Sequence, residues 1–121
     1  MIDTLEGFPD NVIAVSCSAH VTKQDYETVL IPKIKQVLAK HKTARLYYQI
    51  GTDFTGIEPG AVWEDIKVGM EHLLRWERIA VVTDVDWIGH TIRAFGFLMP
   101  AEVKVFPVAE QAQARTWIVS A

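Results

Sequence analysis

The chain has 121 residues, half of them apolar, which suits one domain with its own core and excludes wholesale disorder. Against 15 Asp and Glu stand 12 Lys and Arg, a net charge of −3, so the basic face of a nucleic-acid binder is missing. The single cysteine, Cys17, excludes a disulfide within the chain, and no apolar run approaches the ~18 residues of a spanning helix.

The opening MIDTLEGFPD lacks the basic start and apolar core of a signal peptide, so a cytoplasmic location is expected, with peripheral membrane contact open. Ile2–Leu5 reads as a short first strand, followed by a turn through Gly7, Pro9, Asp10 and Asn11. Val12–Ala19, VIAVSCSA, is a second strand. Thr22 and Asp25 have capping-box spacing and open a long helix whose core face is Tyr26, Leu30, Ile34, Val37 and Leu38. Pro32 falls inside that pattern and predicts a kink or split near Leu30, because it lacks an N–H. The basic residues from Lys33 to Arg45 read as a solvated helix face, with anionic headgroups as the alternative partner.

Arg45–Ile50 predicts a strand, and Gly51–Gly60 a long connection. Trp63, Ile66, Met70, Leu73 and Leu74 predict an amphipathic helix with Glu64, Lys67, Glu71 and His72 facing away. The β-branched run in Arg78–Thr83 suits a strand buried on both faces of a parallel sheet. Asp84–Pro100, DVDWIGHTIRAFGFLMP, reads as a helix that Asp84 or Asp86 caps and Pro100 ends. Its apolar residues lie on nearly every side, so burial on two sides, a cavity beneath it, or a partner is expected. Glu102–Phe106 is an edge strand before Pro107, and Val108–Val119 a last helix anchored by Trp117 and Ile118. The order β-β-α-β-α-β-α-β-α gives one α/β domain over 1–121: a mostly parallel five-stranded sheet with one antiparallel edge strand and about four helices.

Constellations for chemistry are weak. Cys17 and His20 lie three apart on a strand, which sends them to opposite faces, and a buried core thiol is the better account. Asp86 and His90 are four apart on a helix but lack a third metal ligand. Gly51, Gly56 and Gly60 form neither a dinucleotide fingerprint nor a P-loop. No catalytic residue, metal or cofactor is expected.

Several short motifs recur in one order. They are the Phe54–Gly56–Pro59–Gly60 loop, the Trp63–Glu64–Asp65 helix start, Arg78-Ile79-Ala80-Val81-Val82, and Trp87. The Phe95–Gly96 pair, Pro100–Ala101–Glu102 and Ala114–Arg115–Thr116–Trp117–Ile118 complete the set. With this layout the chain resembles the STAS domain, and more narrowly the SpoIIAA-like family, bacterial domains between STAS and the CRAL-TRIO lipid-binding fold. The family's namesakes carry a phosphorylatable serine after the third strand. Gly51-Thr52-Asp53-Phe54-Thr55-Gly56 holds no serine there, so the phospho-serine switch is not expected, with Thr52 or Thr55 as the substitutes the stretch offers. The CRAL-TRIO likeness implies helices that shift to expose an apolar pocket.

Together these readings lead to a non-enzymatic domain that binds an apolar, lipid-like molecule or a membrane surface. Trp63, Ile66, Met70, Ile88, Ile92 and Phe95 would line the site, with Trp87, Phe97 and Leu98 at its rim, and Gly89 and Gly96 would ease helix movement. The alternative is a STAS-like module whose apolar patch docks another protein or a second copy in a homodimer.

Overall fold

The computed structural model describes residues 1–61, 67, 71, 73–96 and 100–120, with backbone only at 73 and 95. Its elements begin with β1 (Ile2–Thr4), β2 (Val12–Cys17), β3 (His20–Val21), α1 (Lys23–Asp25), a π-helical turn (Tyr26–Leu30) and α2 (Ile31–Lys40). β4 (Ala44–Ile50), β5 (Gly56–Ile57), a 3₁₀ turn (Leu73–Arg75) and β6 (Trp76–Val82) follow. The chain then makes α3 (Asp86–Gly96), β7 (Glu102–Phe106), a second 3₁₀ turn (Val108–Glu110) and α4 (Gln111–Val119). The described part of the predicted Trp63–Leu74 helix is limited to a few positions, and its core-facing Trp63, Ile66 and Met70 lie outside the described residues.

A five-stranded sheet runs β1-β2-β4-β6-β7, antiparallel only at β1. Each strand pairs with the one made before it, so the sheet grows in one direction. Right-handed crossovers in a single direction place their helices on a single face. The core has that form. Ile13, Val15, Cys17, Tyr48, Ile50, Ile79 and Val81 meet Tyr26, Leu30, Ile34, Val37 and Leu38, with Ala61, Ile88 and Ile92 beside them. The opposite face holds Val12, Ala14, Tyr47, Ala80 and Val82 under Ala114 and Ile118 of α4, flanked by Phe8, Phe106 and Trp117.

Two boundaries depart from expectation and two follow it, each for local reasons. β2 stops at Cys17 because Ala19 takes a left-handed φ of 51°, which turns the chain into β3. β3 and β5 pair in a separate parallel ladder, His20 with Gly56 and Val21 with Ile57, inside what the sequence marks as plain connection. Thr22 and Asp25 form the expected capping box, each side chain accepting the other's backbone N–H. The break that Pro32 predicts near Leu30 takes the form of a change of winding, with α2 beginning at Ile31. The chain winds a π-turn in which the Ile31 N–H reaches the Tyr26 carbonyl, and Pro32 falls in the first turn of α2, where a missing N–H costs least.

Candidate functional site

The predicted site centres on α3. Its inner side is set by Val85, Ile88 and Ile92, which pack against the aliphatic core together with Val103 and Val105 of β7. Gly96 permits a close approach to β7: a Cβ there would stand 3.3 Å from the Val103 Cβ. At Gly89 an added Cβ would meet Val105 at 3.8 Å, ordinary contact. At Gly96 the small size of glycine serves close packing of α3 on β7.

The outer side carries Trp87, His90, Thr91, Arg93 and Ala94, all exposed, with Trp87 at 54%. Among the described residues α3 is therefore a one-sided amphipathic helix, not one buried all round. Of the apolar residues expected around this helix, Trp87, Ile88 and Ile92 are seen to be divided by the glycine at 89 and the threonine at 91, while Phe97, Leu98, Met99 and the Phe95 side chain lie outside the described residues. Ile88 and Ile92 lie against the sheet while Trp87 points away, so the structure does not bring these three together. Trp63, Ile66, Met70, Phe97 and Leu98 lie outside the described residues, and Phe95 is described only in backbone.

Capping also differs from expectation. Asp84 does not cap α3; its carboxylate accepts the Val108 N–H at 2.9 Å, which ties the end of β6 to the start of the last helical segment. The buried Thr83 hydroxyl accepts the Val85 N–H at 3.0 Å and turns the chain toward α3. Asp86 then supplies the acidic first turn that favours a helix N-terminus. Leu74, expected on the core side of its helix, sits in the 3₁₀ turn and is 83% exposed. The 3₁₀ winding changes the angular step per residue, so the side chain leaves the stripe that an α-helical period assigns it.

Three arginines do work that a sequence pattern does not show. The Arg45 guanidinium donates to the carbonyls of Ile118 and Ser120, and Arg78 donates to the carbonyls of Trp117 and Ser120 and to the Ser120 hydroxyl. These cations add charged donors to the carbonyls at the C-terminus of α4, of which that of Trp117 also accepts from Ser120, and oppose its negative dipole end. Arg75 does the same for α2, donating to Leu38 and His41 carbonyls at 2.6 and 2.8 Å. Glu77 accepts from Arg45 at 2.6 Å, and that hydrogen bond holds its carboxyl below the usual range. Tyr47, fully buried, donates to Gln49 at 2.9 Å. Burial pushes its hydroxyl pKa up, against the opposing pull of Arg115. An open, shallow depression lined by Ala112, Gln113, Thr116, Trp117 and Ser120 marks α4, on the sheet face opposite α3.

Cys17 is buried and His20 exposed, so the two do not form a nucleophilic pair. Among the described residues no group of three or more His, Cys, Asp and Glu could hold a metal ion, and no helix is long and apolar enough to cross a membrane.

A mixed sheet with the α2 and α3 crossovers on one face and α4 on the other defines an α/β domain of the SpoIIAA-like kind. The SpoIIAA-like family model matches residues 12–119, and the chain belongs to that family. Among solved structures it is similar to an uncharacterised protein of the DUF3478 family with a SpoIIAA-like fold, from Shewanella loihica PV-4. The two are 25% identical with a TM-score of 0.74, over 98% of this chain and 92% of the other. Among curated proteins no sequence matches the chain.

Proposed function

We propose that the protein is a non-enzymatic interaction domain that meets a protein partner through the outer side of α3, with Trp87 as its anchor. The observation that carries this is the exposure of Trp87 on a helix whose other side is already packed. A tryptophan left half in water forgoes roughly 1.5–3 kcal/mol of burial, a gain available to whatever covers it. Arg93, His90 and Thr91 surround it with hydrogen-bonding groups, and tryptophan with arginine is the pairing most enriched where binding energy concentrates.

The second reading is the lipid-like molecule or membrane surface. It is favoured by Leu74, a second exposed apolar side chain on a segment that the sequence assigns to the same site. An exposed Trp87 fits the rim role given to it in that reading.

One experiment separates the two. A photo-crosslinking amino acid is placed at position 87 in cells, and Trp87→Asp protein is tested for co-flotation with phosphatidylcholine–phosphatidylglycerol vesicles. A reproducible adduct with one polypeptide supports the interaction module. Vesicle binding that Trp87→Asp abolishes, with no polypeptide adduct, replaces it with the lipid reading. Neither result from folded protein rejects both.

A further inference from the structure

The second edge of the sheet points to self-association that is independent of Trp87. β7 is the last strand in the order, and among the described residues no strand pairs with its far side. The Thr83 N–H donates to the Phe106 carbonyl at 2.9 Å, so the backbone groups of Phe106 are turned toward β6. Backbone groups alternate along a strand, which turns those of Glu102 and Lys104 inward as well and leaves those of Val103 and Val105 facing the open edge. An unpaired edge of this kind is a template for another strand unless it is bulged, covered or guarded by charge.

Charge is present here, but in a pattern that suits a second copy of the same chain. The side chains of Glu102 and Lys104 are exposed on the face that carries α4, and the Lys104 ammonium lies 4.8 Å from the centroid of the Trp117 ring. We infer that two chains join their β7 edges antiparallel about a twofold axis at Val103, making one continuous sheet. In that register Val103 of each copy exchanges backbone hydrogen bonds with Val103 of the other. Glu102 of each copy then stands directly opposite Lys104 of the other, in the positions where side chains are closest.

Neighbouring registers are worse. Centring on Lys104 sets two ammonium groups face to face, and centring on Val105 sets Pro107, which has no N–H, opposite Val103, whose carbonyl is then left without a donor. A five-residue strand buries less than the ~1,200 Å² of a standard stable interface, so the dimer is weak, with a dissociation constant on the order of micromolar or above.

The test is sedimentation equilibrium of the whole chain from micromolar to millimolar loading. The wild type is expected to rise toward twice the monomer mass. Lys104→Glu and Glu102→Lys each place like charges opposite, and each should weaken association by about tenfold or more. Both sites are exposed, and circular dichroism checks that the variants stay folded. The charge-swapped double variant E102K/K104E should dimerise as the wild type does. A wild type that remains monomeric throughout overturns the inference, as does a dimer indifferent to either single reversal. A double variant that fails to recover overturns the register, because centring on Lys104 would leave like charges facing in both cases.

Discussion

The two faces of the sheet are held by different physics. The face under the Tyr26–Leu30 turn, α2 and α3 is closed mainly by aliphatic side chains, with Tyr26, Tyr48 and Trp76 among them, and its burial is spread over many contacts. Among the described residues the opposite face receives α4, Val108 and the Leu5–Phe8 segment, and much of its hold is point-like: arginines on carbonyls, and cations over rings. Arg78 lies 5.4 Å from the Trp117 ring centroid, and Arg115 lies 5.3 Å from that of Phe8. The difference follows from topology. Crossovers that advance in one direction fill one face, and only the chain after the last strand is free to cover the other.

The comparison is broken most directly on the aliphatic face. Ile13 is fully buried, so Ile13→Ala should cost about 2–5 kcal/mol, read as a lower urea midpoint with every probe moving together. On the clamp face, Arg78→Ala should cost about 1–2 kcal/mol by removing a charged donor from the Trp117 carbonyl, which keeps its Ser120 donors, and from the Ser120 carbonyl, which keeps Arg45. Here the loss should be local: hydrogen exchange speeds up in the last turn of α4 while β4 and β6 stay protected. Uniform deprotection would erase the distinction between the faces.

Gly89→Ala sharpens the comparison from the other side. Its new Cβ finds ordinary contact with Val105, and the helix-propensity gain should raise stability by up to about 1 kcal/mol, seen in thermal unfolding. A loss instead would show that α3 has no room for a methyl. Glu77 gives the smallest effect. Its carboxyl pKa is lowered in the folded state from the ordinary 4.5, so its contribution is complete above that value and fades as pH falls through the folded one. Glu77 is exposed, which keeps the effect modest. Glu77→Gln should flatten that acid limb in a pH series of urea midpoints, and an unchanged limb would remove Glu77 from the clamp.

What the sequence made legible was local or periodic. The Thr22–Asp25 capping box, the buried IAVVT strand and the Glu102–Phe106 strand rest on neighbours within a few residues, and each is present. The alternation of strands and helices sufficed for the mostly parallel sheet. The misses are long-range or irregular. The β3–β5 ladder joins segments about 36 residues apart with two residues each, too short for any pattern to mark. Arg45 reads as part of a solvated basic stretch until the fold brings Ile118 beside it, 73 residues away. Trp87 and Ile88 are neighbours in a run of apolar letters, and only the packing of α3 on β7 separates the one that faces water from the one that does not.

Strand order carries one more consequence, for the order of synthesis. Because β2, β4, β6 and β7 each add to the strand made just before, a chain leaving the ribosome can lengthen its sheet one strand at a time without waiting for a distant partner. Every intermediate then exposes one growing border and an uncovered far face. That far face closes only when α4 emerges and its carbonyls reach Arg45 and Arg78, so the last turn of α4 acts as the latch on the sheet translated before it.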